Sequence, residues 1–147
     1  VRTFEAAAFL RRCGADITRV RKMFRDDMES YRAKAEAMRR AEVYREEYAI
    51  AQCPGDIDSP TVLAAQTANE LLDISGIKAS FVLTVYEGKI YMSARSIDEV
   101  NVQLIMEKLG GGGHMTIAGA QLKDVTVDEA IELVKKTLDG MIEEGEI

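Results

Sequence analysis

The chain has 147 residues, 47% hydrophobic and 30% charged, with a net charge of −6. That length fits one domain, or one domain with an appendage, and no apolar run approaches the roughly 20 residues of a membrane-spanning helix. Residues 1–45 hold 12 Lys and Arg against 7 Asp and Glu, whereas residues 46–147 hold 7 against 18, a balance that disfavours a surface tracking long nucleic acid through many phosphate contacts.

The chain begins at Val1 with an amphipathic segment and no signal peptide, and it reads as a piece of a longer cytoplasmic protein. Thr3 to Cys13 is predicted to be a short helix, with Thr3 as N-cap and Gly14 left-handed after its last turn. Phe4, Ala7, Ala8 and Leu10 form its apolar stripe, and it looks like the last element of a preceding domain. Asp16 is a second N-cap. From it Ile17, Val20, Met23, Phe24, Met28, Tyr31, Ala35, Met38 and Ala41 recur at spacings of mostly three and four. Residues 16–41 therefore read as a helical connector, with Asp26 and Asp27 as the place for a break, and its basic faces are either solvated or turned to an acidic neighbour. A dimer through this connector is compatible with the pattern. Cys13 and Cys53 lack metal-type spacing and read as thiols buried as small hydrophobes in a reducing compartment.

Glu46 to Cys53 is predicted to be a strand, ended by Pro54 and Gly55. Ser59 and Pro60 start a helix whose apolar face is Val62, Ala65, Ala68, Leu71 and Leu72, closed by Ser75 and Gly76. Ser80 to Val85 and Lys89 to Arg95 form a hairpin around Glu87-Gly88. Alternation puts Ile90, Met92 and Ala94 toward the core and Tyr91, Ser93 and Arg95 on the other face. Asn101 to Leu109 is a short helix, and the capping-box pattern Ser96 to Glu99 allows an earlier start. Thr116 to Lys123 turns into a strand, and Thr126 with Glu129 is a capping box opening a long amphipathic helix through Ile142. The order from residue 46 predicts an α/β (α+β) domain: a small mixed sheet of about four to five strands covered by helices and preceded by the helical connector.

Between the helix ending at Leu109 and the strand after Thr116 stand four consecutive glycines, Gly110 to Gly113, and the only histidine, His114. Glycines are costly to order, so a run of them implies positive φ, close approach, or amides left bare for an anion. The same run also reads as a floppy turn before a surface histidine. Arg95 offers a rigid fork of donors suited to phosphate, and equally suits an ion pair with Asp98 or Glu99. Asn101 reads as a ligand contact or simply as an N-cap. Neither a metal cluster, a Ser/His/Asp triad nor a GxxxxGK[ST] loop is visible.

Ser93-Ala94-Arg95-Ser96, Asn101-Val102 and Gly110-Gly111-Gly112-Gly113-His114 with Ala118-Gly119 resemble the C-terminal DHH-associated domain of DHH-family phosphoesterases. The whole stretch from Ile90 to His114 is most similar to the membrane-anchored cyclic-di-AMP phosphodiesterases of bacteria, while Ala118-Gly119-Ala120 departs from the family's usual Ala-Ala-Gly or Ala-Ala-Thr ending. Arg2 to Ala7, Leu10-Arg11-Arg12 and Gly14-Ala15-Asp16 resemble the tail of that family's DHH catalytic domain. The resemblance implies that residues 1–41 are that tail and the connector, and that residues 42–147 are the nucleotide-binding domain. It implies that Ser93, Arg95, Asn101, Gly111, Gly112, Gly113 and His114 bind a cyclic dinucleotide or short oligonucleotide. The two-metal manganese centre and the catalytic residues would lie in the upstream DHH domain, so this chain alone is expected to be inactive and to make no membrane contact. An oligoribonuclease or phosphoadenosine-phosphate phosphatase of the same superfamily is the alternative. A single-strand DNA exonuclease is disfavoured by the acidic balance of residues 46–147.

Overall fold

A computed structural model describes residues 1–147, which divide into two compact units, residues 1–31 and 32–147. The first holds α1 (Arg2–Arg12), α2 (Ile17–Met23) and the start of α3 (Met28–Arg39). α1 begins after Val1 with no side-chain cap, so Thr3 is inside the helix and not its N-cap. Gly14 takes φ +96°, and the Ala15 amide donates back to the Leu10 carbonyl at 3.0 Å. Asp16 caps α2 by accepting from the Thr18 amide at 2.9 Å. The expected connector is two helices. The chain leaves the first at Phe24, and Asp27 restarts it by accepting from the Ser30 amide and hydroxyl at 2.9 and 2.8 Å. Phe4, Leu10, Met23 and Phe24 are exposed, and so is Cys13, against the expectation that it is buried.

The second unit is built on β1 (Glu42–Tyr44), β2 (Tyr48–Cys53), β3 (Ala79–Tyr86), β4 (Lys89–Ser96), β5 (Gly112–His114) and β6 (Ile117–Leu122). They form one six-stranded mixed sheet in the order β1-β2-β3-β4-β6-β5. β1 and β5, which are not among the strands expected from the sequence, are three-residue edges. β2 and β3 are parallel, with α4 (Pro60–Leu71) as the crossover between them, and every other pair is antiparallel. The β3–β4 turn places both Glu87 and Gly88 at positive φ, matching the right-handed twist of the strands it joins.

Strands β2 and β3 are buried on both faces, as expected of a sheet covered by helices on two sides. On one face Phe81, Leu83, Ile90, Met92 and Ala94 pack under α5 (Val102–Lys108) and α6 (Val127–Glu143) through Ile105, Met106, Val134, Leu138 and Met141. On the other, Ala49, Ala51, Cys53 and Val82 pack under Leu63, Ala64, Ala68 and Leu71 of α4. Each large side chain fully removed from water stabilises the fold by about 1.5–3 kcal/mol before entropy is counted. The buried face of α4 is rotated from the expected one. Leu63, Ala64 and Thr67 turn inward, while Val62 stays exposed. Thr67 fits because its hydroxyl donates to the Leu63 carbonyl at 2.8 Å and lies 3.3 Å from the Cys53 sulfur. Lys34 of α3 pairs with Glu70 of α4 at 2.5 Å.

Candidate functional site

The site is set by the alternation of β4. Ile90, Met92, Ala94 and Ser96 are buried toward α5 and α6, so Tyr91, Ser93 and Arg95 project to the α4 side and are half-buried. The strand register carries these positions sideways across the sheet. Arg95 pairs with Ile117, which pairs with His114; Ser93 pairs with Gly119, which pairs with Gly112; Tyr91 pairs with Gln121. Paired residues in a ladder project to the same face. Arg95, Ile117 and His114 thus form one row, Ser93, Gly119 and Gly112 the next, and Tyr91 and Gln121 a third. Two strand spacings separate the ends of the first row, so the Arg95 and His114 backbones are about 10 Å apart. α4 lies over β2, β3 and β4 and stops short of β6 and β5, where Ile117, His114 and Gln121 are exposed. The result is an uncovered shelf with a glycine floor.

Arg95 lies in this shelf with no carboxylate partner, so the ion pair with Asp98 or Glu99 does not form; Glu99 lies instead 3.7 Å from Lys78. One Arg95 nitrogen donates to the Ala94 carbonyl at 2.9 Å and reaches the Ala118 carbonyl at 3.5 Å. Burial pushes its pKa down, yet a guanidinium remains charged at any physiological pH. The fork therefore keeps donors for an anion. The Ser93 hydroxyl is half-exposed and makes no hydrogen bond within the protein.

The four glycines divide by role. Gly110 takes φ +79° after the C-cap Leu109, its amide donates to the Glu107 carbonyl, and the Gly111 amide donates to the Met106 carbonyl at 2.8 Å. This is a Schellman termination of α5, so two of the amides expected to be bare are spent on the helix. A Cβ on Gly111 would come within 2.1 Å of the Gly119 carbonyl oxygen, and one on Gly113 within 2.5 Å of the Ala118 Cα. Both glycines are required for β5 to lie against β6. A Cβ on Gly112 would meet nothing within 4 Å. Gly112 alone has neither a positive φ nor a close contact to require glycine, and it belongs to the shelf row. The expected loop is thus half helix cap and half edge strand.

Asn101 is the N-cap of α5, the helix that packs on the face of the sheet opposite the shelf. Its side-chain oxygen caps α5, accepting from the Gln103 and Leu104 amides at 3.1 and 3.4 Å. The Val102 amide donates to the Met115 carbonyl at 2.9 Å and the Ser96 amide to the Thr116 carbonyl at 3.0 Å, which ties the turn after His114 to the end of β4. Ser96 is a strand residue whose hydroxyl donates to the Val100 carbonyl at 2.6 Å, so the pattern from Ser96 to Glu99 is not a helix start. Tyr91 and Gln121 share the shelf although the reading of the motif passed over them. Their signal was parity alone, two residues before Ser93 and two after Gly119.

One histidine, exposed on an edge strand, does not fit a two-metal centre, and no three His, Cys, Asp or Glu side chains stand together in a metal-holding group. No helix is long and apolar enough to cross a membrane.

Residues 46–144 match the DHHA1 domain. The chain is 46% identical over 147 residues to a cyclic-di-AMP phosphodiesterase, GdpP, of Geobacillus thermodenitrificans, covering 98% of this chain and 22% of that protein. It is 42% identical over 140 residues to a cyclic-di-AMP phosphodiesterase, PdeA, of Listeria monocytogenes, covering 95% of this chain and 21% of that protein. The chain thus spans about a fifth of the length of these relatives. An exopolyphosphatase-related protein from Bacteroides fragilis superposes with a TM-score of 0.83 at 18% identity, over 95% of this chain and 43% of that one. RecJ from Thermus thermophilus in complex with Mn2+ superposes with a TM-score of 0.53 at 13% identity, over 73% of this chain and 16% of that one. At such identities the two structures show the shared fold.

Proposed function

Because the chain belongs to the DHHA1 domain family, we propose that it is the substrate-binding part of a phosphodiesterase that hydrolyses cyclic di-AMP. The observation that carries this reading is the half-buried Arg95, without a carboxylate, in one ladder row with His114 on an uncovered shelf. In this role Arg95 fixes a phosphate by a charge-assisted fork, and His114 donates a ring N–H to the same group from the other end of the row. The Ser93 hydroxyl adds a donor from the glycine floor. Gly112 leaves the floor low enough for the ligand, while Gly111 and Gly113 hold β5 against β6 so that His114 stays in register. Asn101 has its oxygen committed to the helix and keeps its amide NH2 for a ligand contact. Together these groups orient the phosphodiester and offset its charge.

The manganese centre belongs, in this reading, to an upstream DHH domain of the same protein, and the chain by itself binds without cleaving. The domain works in the cytoplasm, its ligand a small cyclic dinucleotide in preference to a long strand.

The test is made on the full-length protein with Arg95→Ala and His114→Ala. Loss of a hydrogen bond to a charged group costs about 1.5–3 kcal/mol, so binding of a non-hydrolysable cyclic di-AMP should weaken about 10- to 150-fold in each variant. The thermal midpoint should stay within a few degrees of wild type. Wild-type binding by both variants would refute the reading, and a preference for short RNA over cyclic di-AMP would move it to an oligoribonuclease.

A further inference from the structure

Where β2 and β3 begin, on the face of the sheet opposite the shelf, there is a second hollow of about 330 Å³. That volume lies at the lower end of the range of about 300–1,000 Å³ usual for small-ligand clefts. Arg45, Tyr48, Lys78 and Glu99 line it, with Val100 and Ile142 as an apolar wall, and it shares no residue with the phosphate row. Tyr48 distinguishes it from a surface crevice. The residue is only 4% exposed and its ring belongs to the core beneath α5 and α6, yet its hydroxyl makes no hydrogen bond within the protein. A buried tyrosine O–H ordinarily has a partner, because leaving it without one is costly. Every side-chain nitrogen or oxygen sealed from solvent in this chain does have a partner. The Tyr48 oxygen is therefore not sealed, and it opens into the hollow that the residue lines. Burial and the neighbouring Glu47 push its pKa up, so the hydroxyl keeps its proton for donation.

The charged groups around it are unequally committed. Lys78 is fixed, with its ammonium 2.6 Å from the Glu47 carboxylate and its amide donating to the Glu47 carbonyl at 2.8 Å. Arg45 uses only Nε, which donates to Asp139 at 2.6 Å, and both terminal nitrogens of its fork are without a hydrogen bond. The turn that presents Arg45 holds it at φ 48° and Glu46 at φ 65°, a left-handed pair without glycine, so this placement is maintained against a local backbone cost. Glu99, in the loop that joins β4 to α5, is held loosely at 3.7 Å from Lys78 and is mostly exposed. The uncommitted groups are thus a forked cationic donor, a hydroxyl and a carboxylate. Lys78 and Glu47 cancel, and Arg45 already shares Asp139, so no surplus of positive charge remains for a polyanion. A small zwitterion matches the set. Its carboxylate meets the Arg45 fork and the Tyr48 O–H, its ammonium meets Glu99, and an aliphatic body lies on Val100 and Ile142. We infer that this hollow is a binding site for a small aliphatic zwitterion, of the class of the free branched-chain α-amino acids.

The experiment is calorimetric titration of the full-length protein with three probes: L-leucine, isocaproate, which lacks the amine, and isopentylamine, which lacks the carboxylate. Leucine should bind saturably, and each of the other two about tenfold or more weakly, the effect of losing one charge-assisted hydrogen bond. Tyr48→Phe removes only a hydroxyl that the fold does not use. It should leave the thermal midpoint unchanged or slightly raised and weaken leucine binding about tenfold or more. Glu99→Gln, at an exposed position, should weaken leucine and leave isocaproate unchanged. Arg45→Lys, which keeps the charge and removes the fork, should weaken leucine and isocaproate alike. Failure of the wild-type protein to bind leucine would overturn the proposal. So would leucine binding that Tyr48→Phe and Glu99→Gln both leave at the wild-type level, which would place the amino acid elsewhere in the full-length protein. Isocaproate bound as tightly as leucine would overturn the zwitterion and leave a site for simple carboxylates.

Discussion

Replacing each of the four consecutive glycines by alanine separates scaffold from site. At Gly110 the side chain would be forced into the left-handed region at φ +79°, a cost of about 1–2 kcal/mol. At Gly111 the new methyl would come within 2.1 Å of the Gly119 carbonyl oxygen and 2.7 Å of the Ala120 Cα. Those are backbone atoms of a paired strand, so relief means moving β5 off β6, and the cost is about 1–3 kcal/mol or more. Gly113 combines φ +149° with contacts of 2.5 Å to the Ala118 Cα and the Ile117 carbonyl oxygen, and it should cost at least as much. Gly112→Ala meets nothing within 4 Å and should change stability by no more than about 0.5 kcal/mol in either direction. Its methyl would nevertheless stand on the shelf beside Ser93 and Gly119. Urea unfolding of the four variants, with linear extrapolation to water, reads the stability order. Cyclic di-AMP binding by the full-length Gly112→Ala protein reads the site and should fall. A Gly112→Ala variant as unstable as Gly111→Ala, or a Gly111→Ala variant as stable as wild type, would refute the division of roles.

Two other consequences are open to measurement. Cys53 is buried against Thr67, and burial pushes its thiol pKa up, whereas Cys13 is exposed; a thiol reagent at neutral pH should therefore titrate one cysteine in the native protein and two after unfolding, and two fast-reacting thiols in the native state would contradict the packing. The hydrogen bond from Arg39 holds the Glu36 carboxyl down to about 2 from 4.5, and the Tyr44 hydroxyl with Arg45 lowers that of Asp139. A depressed folded pKa contributes stability above the unfolded pKa and loses it as pH falls through the folded value. Unfolding free energy should thus decline slightly between about pH 4.5 and 2, since exposed pairs are weak, and Glu36→Gln should flatten the decline; an unchanged slope in that variant would remove Glu36 from the account.

What the sequence made legible were the parts with a local signal. Asp16, Asn101 and Thr126 are side-chain caps because each can accept from an amide two or three residues on. The alternation of β4 survives intact because one of its faces is fully buried, and a one-residue slip would turn Ile90, Met92 and Ala94 outward. What escaped lacked such signals. β1 and β2 are joined by a turn that holds Arg45 and Glu46 at positive φ, with no Gly or Asn to announce it. β5 is two glycines and a histidine, a sequence with no strand propensity, and it pairs only because β6 offers it an edge. The phase of α4 was misread because Val62 is more apolar than Thr67, yet Thr67 can satisfy its hydroxyl on its own helix and Val62 falls on the outer side. At the shelf, the chemistry-bearing residues Arg95 and His114 stood out by type. Tyr91 and Gln121 did not, because their partnership exists only through the β4–β6 register.

With Arg95 seating a phosphate as proposed, that register also accounts for an acidic domain holding an anion. Residues 46–147 carry a net charge of −11, so at long range the domain repels a polyphosphate chain. Arg95 escapes this background in two ways. It has no carboxylate partner to neutralise it, and partial burial beside α4 reduces the solvent screening of its charge. The attraction is therefore short in range and felt mainly by a phosphate already seated on the shelf. A long strand would gain one such contact and meet repulsion along the rest of its length, whereas a compact dinucleotide gains the contact and ends before the repulsion accumulates. In the proposed reading, discrimination against long nucleic acid follows from where Arg95 stands on the shelf, and it requires no steric gate.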